Sequence, residues 1–445
     1  MGQGMSVPRR LDHPADGDYK GGVMNPQSWK VMELHRGVGA VLGIALAAGP
    51  MLPARAAAPK KQVPVPKTFL IDGTALAKAR MDGDAEMIRL AKIQGDRAMQ
   101  DGPVSVMDKK AVPPSGDKHD YMSLAPYFWP NPATKDHLPY IRKDGQHNPE
   151  ASAIPDHENF TRMAEDVHAW ALAYFLTDDD KYAKHAAESL RVWFLAPATR
   201  MNPNLKYAQA VLGVNDGRGT GVLESRCLTD VVDALALLAG SSDWTAKDEA
   251  GMHEWIDAYF TWLTSSANGK AEHDAKNNHG SWDDVQEASL ALYLGKTDFV
   301  KDLVETAKTK RIGLQIQADG QQPMEEERTK SFGYCVFNVD ALMQLATLGD
   351  EVGVDLWGYT SPAGGSIRKA LDYLIPFAAD PKAWGHENIA GMTPDALRAP
   401  LLMAAVHYHS VAYKEDALHI RAKDDPLQTL LVLEFMPLPA GSKGL

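Results

Sequence analysis

Apolar residues recur at intervals of three and four along one segment of this chain after another: 84–99, 159–176, 181–194, 223–239, 246–265, 281–294, 297–311, 334–348 and 366–377. Such spacing gives each helix an apolar stripe, and every stripe must be covered by a neighbour. Strand-like alternation is scarce, so sheets cannot supply the cover. Turn signals part neighbouring segments at "TDDD", "SSDW" and "YLGKTD", and short connections fold successive helices into antiparallel hairpins. The expectation is an all-α body of helical hairpins around a shared core. The sequence contains no P-loop, dinucleotide fingerprint or nucleophile elbow.

At 445 residues, with 44% hydrophobic and 23% charged, the chain is globular in composition. Its formal charge of −12 argues against nonspecific nucleic-acid binding, although a local basic cleft can still attract an anionic ligand. From Met32 the chain reads "MELHRGVGAVLGIALAAGPMLPARAAAPKK", with Arg36 ahead of an apolar run from Val38 to Leu52 and with Ala54 and Ala56 in A-x-A spacing. This is the layout of a secretory signal, too short for a comfortable spanning helix. Residues 1–56 are therefore expected to be an upstream extension and signal peptide. Residues 57–103 are a linker, Pro-containing from Gln62 to Pro66, with a first helical segment. Residues 104–445 form the main domain, one catalytic unit with 57–103. A periplasmic or secreted location follows, with no membrane attachment after signal removal. The two cysteines, Cys227 and Cys335, allow one bridge or two buried thiols.

Two long irregular stretches interrupt the helices. Residues 111–155 contain "GDKHDYMSLAPYFWPNP" and "LPYIRKDGQHNPE", and residues 201–221 contain "MNPNLKYAQAVLGVNDGRGTG". Loops this long inside a compact domain are functional or disordered, and their aromatic content argues against disorder. Aromatic faces among amides and cations suit sugar rings bearing acidic groups. On that reading Tyr127, Trp129, Tyr207 and Arg218 line subsites, while Lys118, His119 and Arg142 steer a polyanion. The structural alternative is that Tyr127, Phe128, Trp129 and Tyr140 pin the loop to the helices.

At the mouth of a later helix stands "KNNHGSW", Lys276 to Trp282, and some fifty residues on "EEERTKSFGYCVFNVDAL" places Arg328 and Tyr334 before another apolar run. Each residue alone has a plain explanation: Asn278 a cap, His279 a satisfied polar group, Arg328 a surface ion pair, Tyr334 a core edge. Together they could converge on one cavity. These stretches and the two loops resemble the alginate lyase superfamily over roughly residues 104–348. The resemblance implies an incomplete (α/α) toroid with long active-site loops and β-elimination of uronate polysaccharides. By motif position it assigns Asn278 and His279 to the catalytic Asn-His pair, Tyr334 to the catalytic tyrosine and Arg328 to its companion arginine. Where better-known alginate lyases carry Ser-Tyr-Trp after the His, this chain has Gly280-Ser281-Trp282. That departure points to a side branch whose members include lyases for other polyuronates.

The residue types suit that chemistry. A 4-linked uronate loses its C5 proton and its C4 oxygen only if charge building on the neighbouring carboxylate is neutralised, work for Asn278 and Arg328. A phenol both accepts and donates, so Tyr334 suits the proton work, with Arg328 lowering its ordinary pKa of about 10. His279 is the base for one epimer with Tyr334 as acid, or Tyr334 does both while His279 aids the carboxylate. A glycoside hydrolase would instead use two carboxylates from Asp283, Asp284, Glu287 and the Glu325–Glu327 run. A noncatalytic polyuronate-binding protein would keep only the aromatic loops. No cofactor is expected, and neither His273, Asp274 and His279 nor His119 and Asp120 has strong metal-site spacing. Activity should survive chelation.

Overall fold

The computed structural model describes residues 63–420 except 101 and 390. The proposed signal and the start of the linker lie outside the described residues. Helices run in chain order as α1 (Gly73–Asp82), α2 (Ala85–Ala98), α3 (Asp156–Thr177), α4 (Asp180–Leu190), α5 (Leu228–Leu238), α6 (Ala246–Ser265), α7 (Ala267–His273) and α8 (Asn278–Tyr293). They continue as α9 (Thr297–Ala307), α10 (Gly313–Gln315), α11 (Pro323–Glu326), α12 (Ser331–Asp350), α13 (Ile367–Ala379), α14 (Arg398–His407) and α15 (Val411–His419). Sequence neighbours such as α3 and α4, α8 and α9, and α14 and α15 pack together, as the short turns predict. No described helix is long and apolar enough to cross a membrane.

Helix α8 occupies the middle, packed against α5, α6, α7, α9 and α12. It is buried from Asn278 through Leu292 with His279 the exception, so even its polar residues need partners inside. Ser281 donates to Gln315 at 3.0 Å, Gln286 accepts from Ser225 at 2.6 Å, and Arg311 grips both oxygens of Asp284 at 2.8 Å. Trp282 anchors α8 to α12, its ring 4.9 Å from that of Phe337 and its indole N–H on the Phe337 carbonyl at 3.2 Å.

The departures from the sequence reading are local. Helix α8 begins at Asn278 and α12 at Ser331, three residues earlier than periodicity alone placed them. The first turn of α8 is polar and that of α12 has Phe332 alone between Ser331 and Gly333, too little for an apolar stripe to be read. Short strands were also missed: β1 (Met122–Leu124) pairs in parallel with β4 (Tyr207–Ala210), and β2 (Phe128–Trp129) pairs antiparallel with β3 (Ile141–Arg142). The β1–β4 pair joins the two long loops. Behind it, buried Glu224 accepts from the Tyr121 and Ser123 hydroxyls at 2.7 and 2.6 Å. Cys227 and Cys335 are both free and buried.

Gly280 explains the unusual tripeptide after His279. A Cβ there would overlap the Ala275 carbonyl and lie 2.7 Å from the guanidinium carbon of Arg311. Gly280→Ala should therefore cost about 1–3 kcal/mol, the usual overpacking range, read as a lowered Tm in scanning calorimetry.

Candidate active site

The residues anticipated from sequence stand as two pairs, Asn278 and His279 at the start of α8, Arg328 and Tyr334 at the junction of α11 with α12. Glu325, 1% exposed, lies between them, holding Asn278 and feeling the charges of Arg328 and His279. Its carboxylate accepts the Asn278 backbone N–H at 2.6 Å and the Asn278 side-chain amide at 2.7 Å. The cap of α8 thus comes from another segment, and neither Asn277 nor Asn278 caps with its own side chain. This corrects the local-cap explanation. Burial raises Glu325 above the usual carboxylate range, against the two Asn278 hydrogen bonds and the fields of Arg328 and His279. Asn278 Oδ1 is buried without a partner.

His279 is fixed from one side. Its Nδ1 lies 2.6 Å from Oε1 of Glu272, which is 1% exposed. A carboxylate can only accept, so Nδ1 carries a hydrogen, and in the neutral ring the lone pair is then on Nε2. Glu272 escaped the sequence reading because it sits in α7, seven positions before the histidine, with no motif around it.

Arg328 stacks on Tyr334, its guanidinium carbon 3.9 Å from the ring centroid. Its Nε and Nη2 donate to Asp144 at 3.1 and 2.9 Å, leaving Nη1 without a hydrogen bond among the described residues. Asp144 also accepts from Arg142 at 2.6 Å and from Thr329. Burial opposes its ionisation, but the Arg328 and Arg142 contacts hold it well below the usual range. This carboxylate fastens the long loop to the helical body. The Tyr334 hydroxyl meets that of Tyr127 at 3.1 Å. Burial first, then the Tyr127 hydrogen bond, push the phenol well above its ordinary value despite Arg328. Arg328 does act to lower Tyr334, as expected, but desolvation outweighs the cation, and Tyr334 rests as a neutral phenol. A cavity of about 360 Å³ lies beside it, lined by Tyr127, Lys330, Gly333, Phe337 and Pro400 among others.

The loop residues divide. Arg142 pairs across β2–β3 with Phe128, and Trp129 pairs with Ile141 and carries Lys143 4.9 Å above its ring. Arg218 stacks 5.0 Å from Phe128 and donates to Gln209 at 2.7 Å, while its Nε is buried with no partner. Burial and then Arg142 lower Arg218, while Glu272 opposes. Its field therefore reaches the His279 partner. Gln209 has φ 50°, a left-handed conformation that costs a non-glycine residue free energy and clusters at functional sites. Tyr207 is 6% exposed within β4, with Lys206 over its ring. Lys118 and His119 are bound elsewhere, to the carbonyls of Met107 and Arg200 at 2.9 and 2.6 Å. No described contact joins Lys118, His119 or Tyr207 to Arg328 or Tyr334.

Five of the six carboxylates of the hydrolase reading are spoken for. Asp284 is held by Arg311, Asp283 and Glu287 face His273, Glu325 holds Asn278, and Glu326 accepts the Gln322 N–H. These five are at most 7% exposed, and Glu327 alone of the set is exposed. A pair flanking a glycosidic bond needs access to it. Neither metal combination weighed from sequence assembles: Asp274 points to Lys310, His279 to Glu272 and Asp120 to Asn202.

A helical body with an Asn-His pair, an arginine-stacked tyrosine and two tethered aromatic loops is of the (α/α) toroid polysaccharide lyase type. The family model described as alginate lyase matches residues 105–384. The structure is similar to that of an alginate lyase from Bacteroides ovatus, at 35% identity over 83% of this chain and 99% of that one, with a TM-score of 0.78. It shares its fold with a tetrasaccharide complex of a Tyr-to-Phe variant of alginate lyase A1-III, at 15% identity over 85% and 98% of the two chains and a TM-score of 0.54. A His-to-Ala variant of that enzyme, also with a tetrasaccharide, gives 14% identity, 77% and 86% coverage and 0.53. None of the curated proteins compared with the chain matches it. The chain belongs to the alginate lyase family and is a polysaccharide lyase.

Proposed function

We propose that this enzyme cleaves a 4-linked polyuronate, alginate or a polyglucuronate, by β-elimination, leaving an unsaturated uronate at the new end. The observation that carries this reading is a phenol stacked on a guanidinium at one helix start and a carboxylate-oriented imidazole at another, linked through Glu325, which holds Asn278 and lies in the fields of Arg328 and His279, while five of the six hydrolase candidates are buried and paired. Arg328 Nη1 binds the uronate carboxylate and gains strength as charge moves onto it, while Asn278, 0% exposed and held by Glu325, fixes the start of α8 on which His279 stands. His279 Nε2 takes the C5 proton of the epimer that presents it away from the leaving oxygen, and Tyr334 donates its proton to that oxygen. For the other epimer, whose C5 proton and leaving oxygen share a face, the Tyr334 hydroxyl gives its proton to that oxygen as its own oxygen takes the C5 proton, so the phenol ends the step neutral as it began. The leader-like segment before residue 57 supports export to the periplasm or medium.

The test is an ultraviolet product assay on mannuronate-rich and guluronate-rich alginate, polyglucuronate and an uncharged glucan. At least one polyuronate should yield conjugated unsaturated oligosaccharides, and the glucan none. Saturated ends throughout would replace elimination by hydrolysis, and binding without turnover would leave a noncatalytic protein.

The loop cations should separate by salt response. The Arg142 side chain is 56% exposed, so Arg142→Ala should weaken binding at low salt and matter little at high salt. Arg218 is half-buried, so the loss in Arg218→Ala should persist as ionic strength rises, unlike that of an exposed steering charge. Affinity titrations across a salt series read both, and unchanged binding at every concentration would remove either residue from the site.

A further inference from the structure

A second cluster lies beside the proposed site. Helix α8 carries Asp283 and Glu287 four residues apart, which puts both on one helical face, and they are 0% and 4% exposed. His273, the last residue of α7, meets them: its Nδ1 is 3.2 Å from Asp283 Oδ2 and 3.5 Å from Glu287 Oε2. One ligand atom from each of the three lies within 4.8 Å of the others. Ligands bound tetrahedrally at about 2.0–2.2 Å stand about 3.4 Å apart, close to the spacing of the imidazole from each carboxylate.

The surroundings favour a cation. Asp284 is already matched by Arg311, whose Nη2 also donates to the His273 carbonyl at 2.8 Å. That guanidinium thus neutralises one carboxylate and fixes the backbone of the imidazole, as outer partners do around bound metals. Two buried carboxylates then share one imidazole. Asp283 Oδ1 remains buried with no hydrogen-bond partner, a state that native interiors rarely leave unanswered. A protonated His273 meets Oδ2 and leaves Oδ1 unmet, whereas a divalent ion balances both carboxylates and can take either oxygen. The His273 side chain is 29% exposed, which leaves a route of entry.

We propose that His273, Asp283 and Glu287 bind one divalent transition ion, with zinc the ion best suited to one imidazole and two carboxylates. The ion braces α7 against α8, and so braces Glu272 against His279. It takes no part in the proposed proton transfers.

The full-length protein is stripped with a chelator, dialysed, and loaded separately with zinc, manganese, calcium or magnesium chloride. About one zinc per chain should be retained by elemental mass spectrometry, with a Tm several degrees above that of the stripped protein, as expected for a ligand specific to the folded state. Glu287→Gln and His273→Gln should lower zinc affinity by at least about tenfold. Because substitutions in a buried cluster can prevent folding, a second measurement uses the unaltered chain: zinc should protect His273 from diethylpyrocarbonate, read by peptide mass spectrometry. No retained ion and no Tm change would overturn the proposal in favour of a proton-held ion network. Equal zinc affinity in a folded Glu287→Gln protein, or His273 modified equally with and without zinc, would overturn it as well.

Discussion

Tyr334→Phe should abolish most turnover while leaving the protein folded and able to bind polyuronate. The substitution keeps the ring under the Arg328 guanidinium, 3.9 Å from its centroid, and removes only the hydroxyl, which contacts Tyr127 at 3.1 Å. Because desolvation keeps this phenol neutral, what is lost is the proton delivered to the leaving C4 oxygen. Loss of a general acid costs on the order of 10²–10⁴ in rate. The effect should appear in kcat, with KM changed little and Tm nearly unchanged. A variant with near-normal kcat would sink the mechanism, and one without a cooperative unfolding transition would make Tyr334 structural.

Glu272→Gln should reproduce the substrate pattern of His279→Ala. In the native chain Glu272 accepts from His279 Nδ1, which places the lone pair of the neutral ring on Nε2. A glutamine can present its amide N–H to Nδ1 instead, favouring the tautomer whose Nε2 already holds a proton. Disabling a base through its tautomer costs up to about 10⁴ where an acidic residue orients a catalytic histidine. The loss should fall on the epimer that needs His279 and spare the one served by Tyr334. Kinetics of both variants on mannuronate-rich and guluronate-rich substrates decide this. Uniform loss on every substrate would make His279 obligatory, and a Glu272→Gln enzyme with full activity on all of them would remove the orienting role.

Much of the architecture was legible because burial writes a period into the chain. The apolar stripe of α6 predicted its bounds, Ala246–Ser265, and the "TDDD" turn predicted that α3 and α4 pack as a hairpin. The first turns of α8 and α12, short of apolar residues, were illegible for the same reason, although they hold Asn278, His279 and Tyr334. The Asn-His pair and the Arg328–Tyr334 pair were readable only as motifs.

Their partners were not. In the sequence Glu325 is one of an acidic run, Asp144 a residue of a long loop and Glu272 a glutamate with no motif around it. A carboxylate reads the same in sequence whether it faces water or a buried amide.

The sequence by itself determined the helical class, the hairpins of neighbouring helices and the residue types able to neutralise a carboxylate and move a proton. Periodicity and side-chain chemistry are local properties carried by each segment. Only the tertiary structure decided that Glu325 caps α8 from 47 residues away, that Glu272 orients His279, and that Arg311 passes over Gly280. It also decided that burial outweighs Arg328 at Tyr334. Desolvation and charge pairing depend on which groups share a low-dielectric space, and that sharing exists only once the helices have packed.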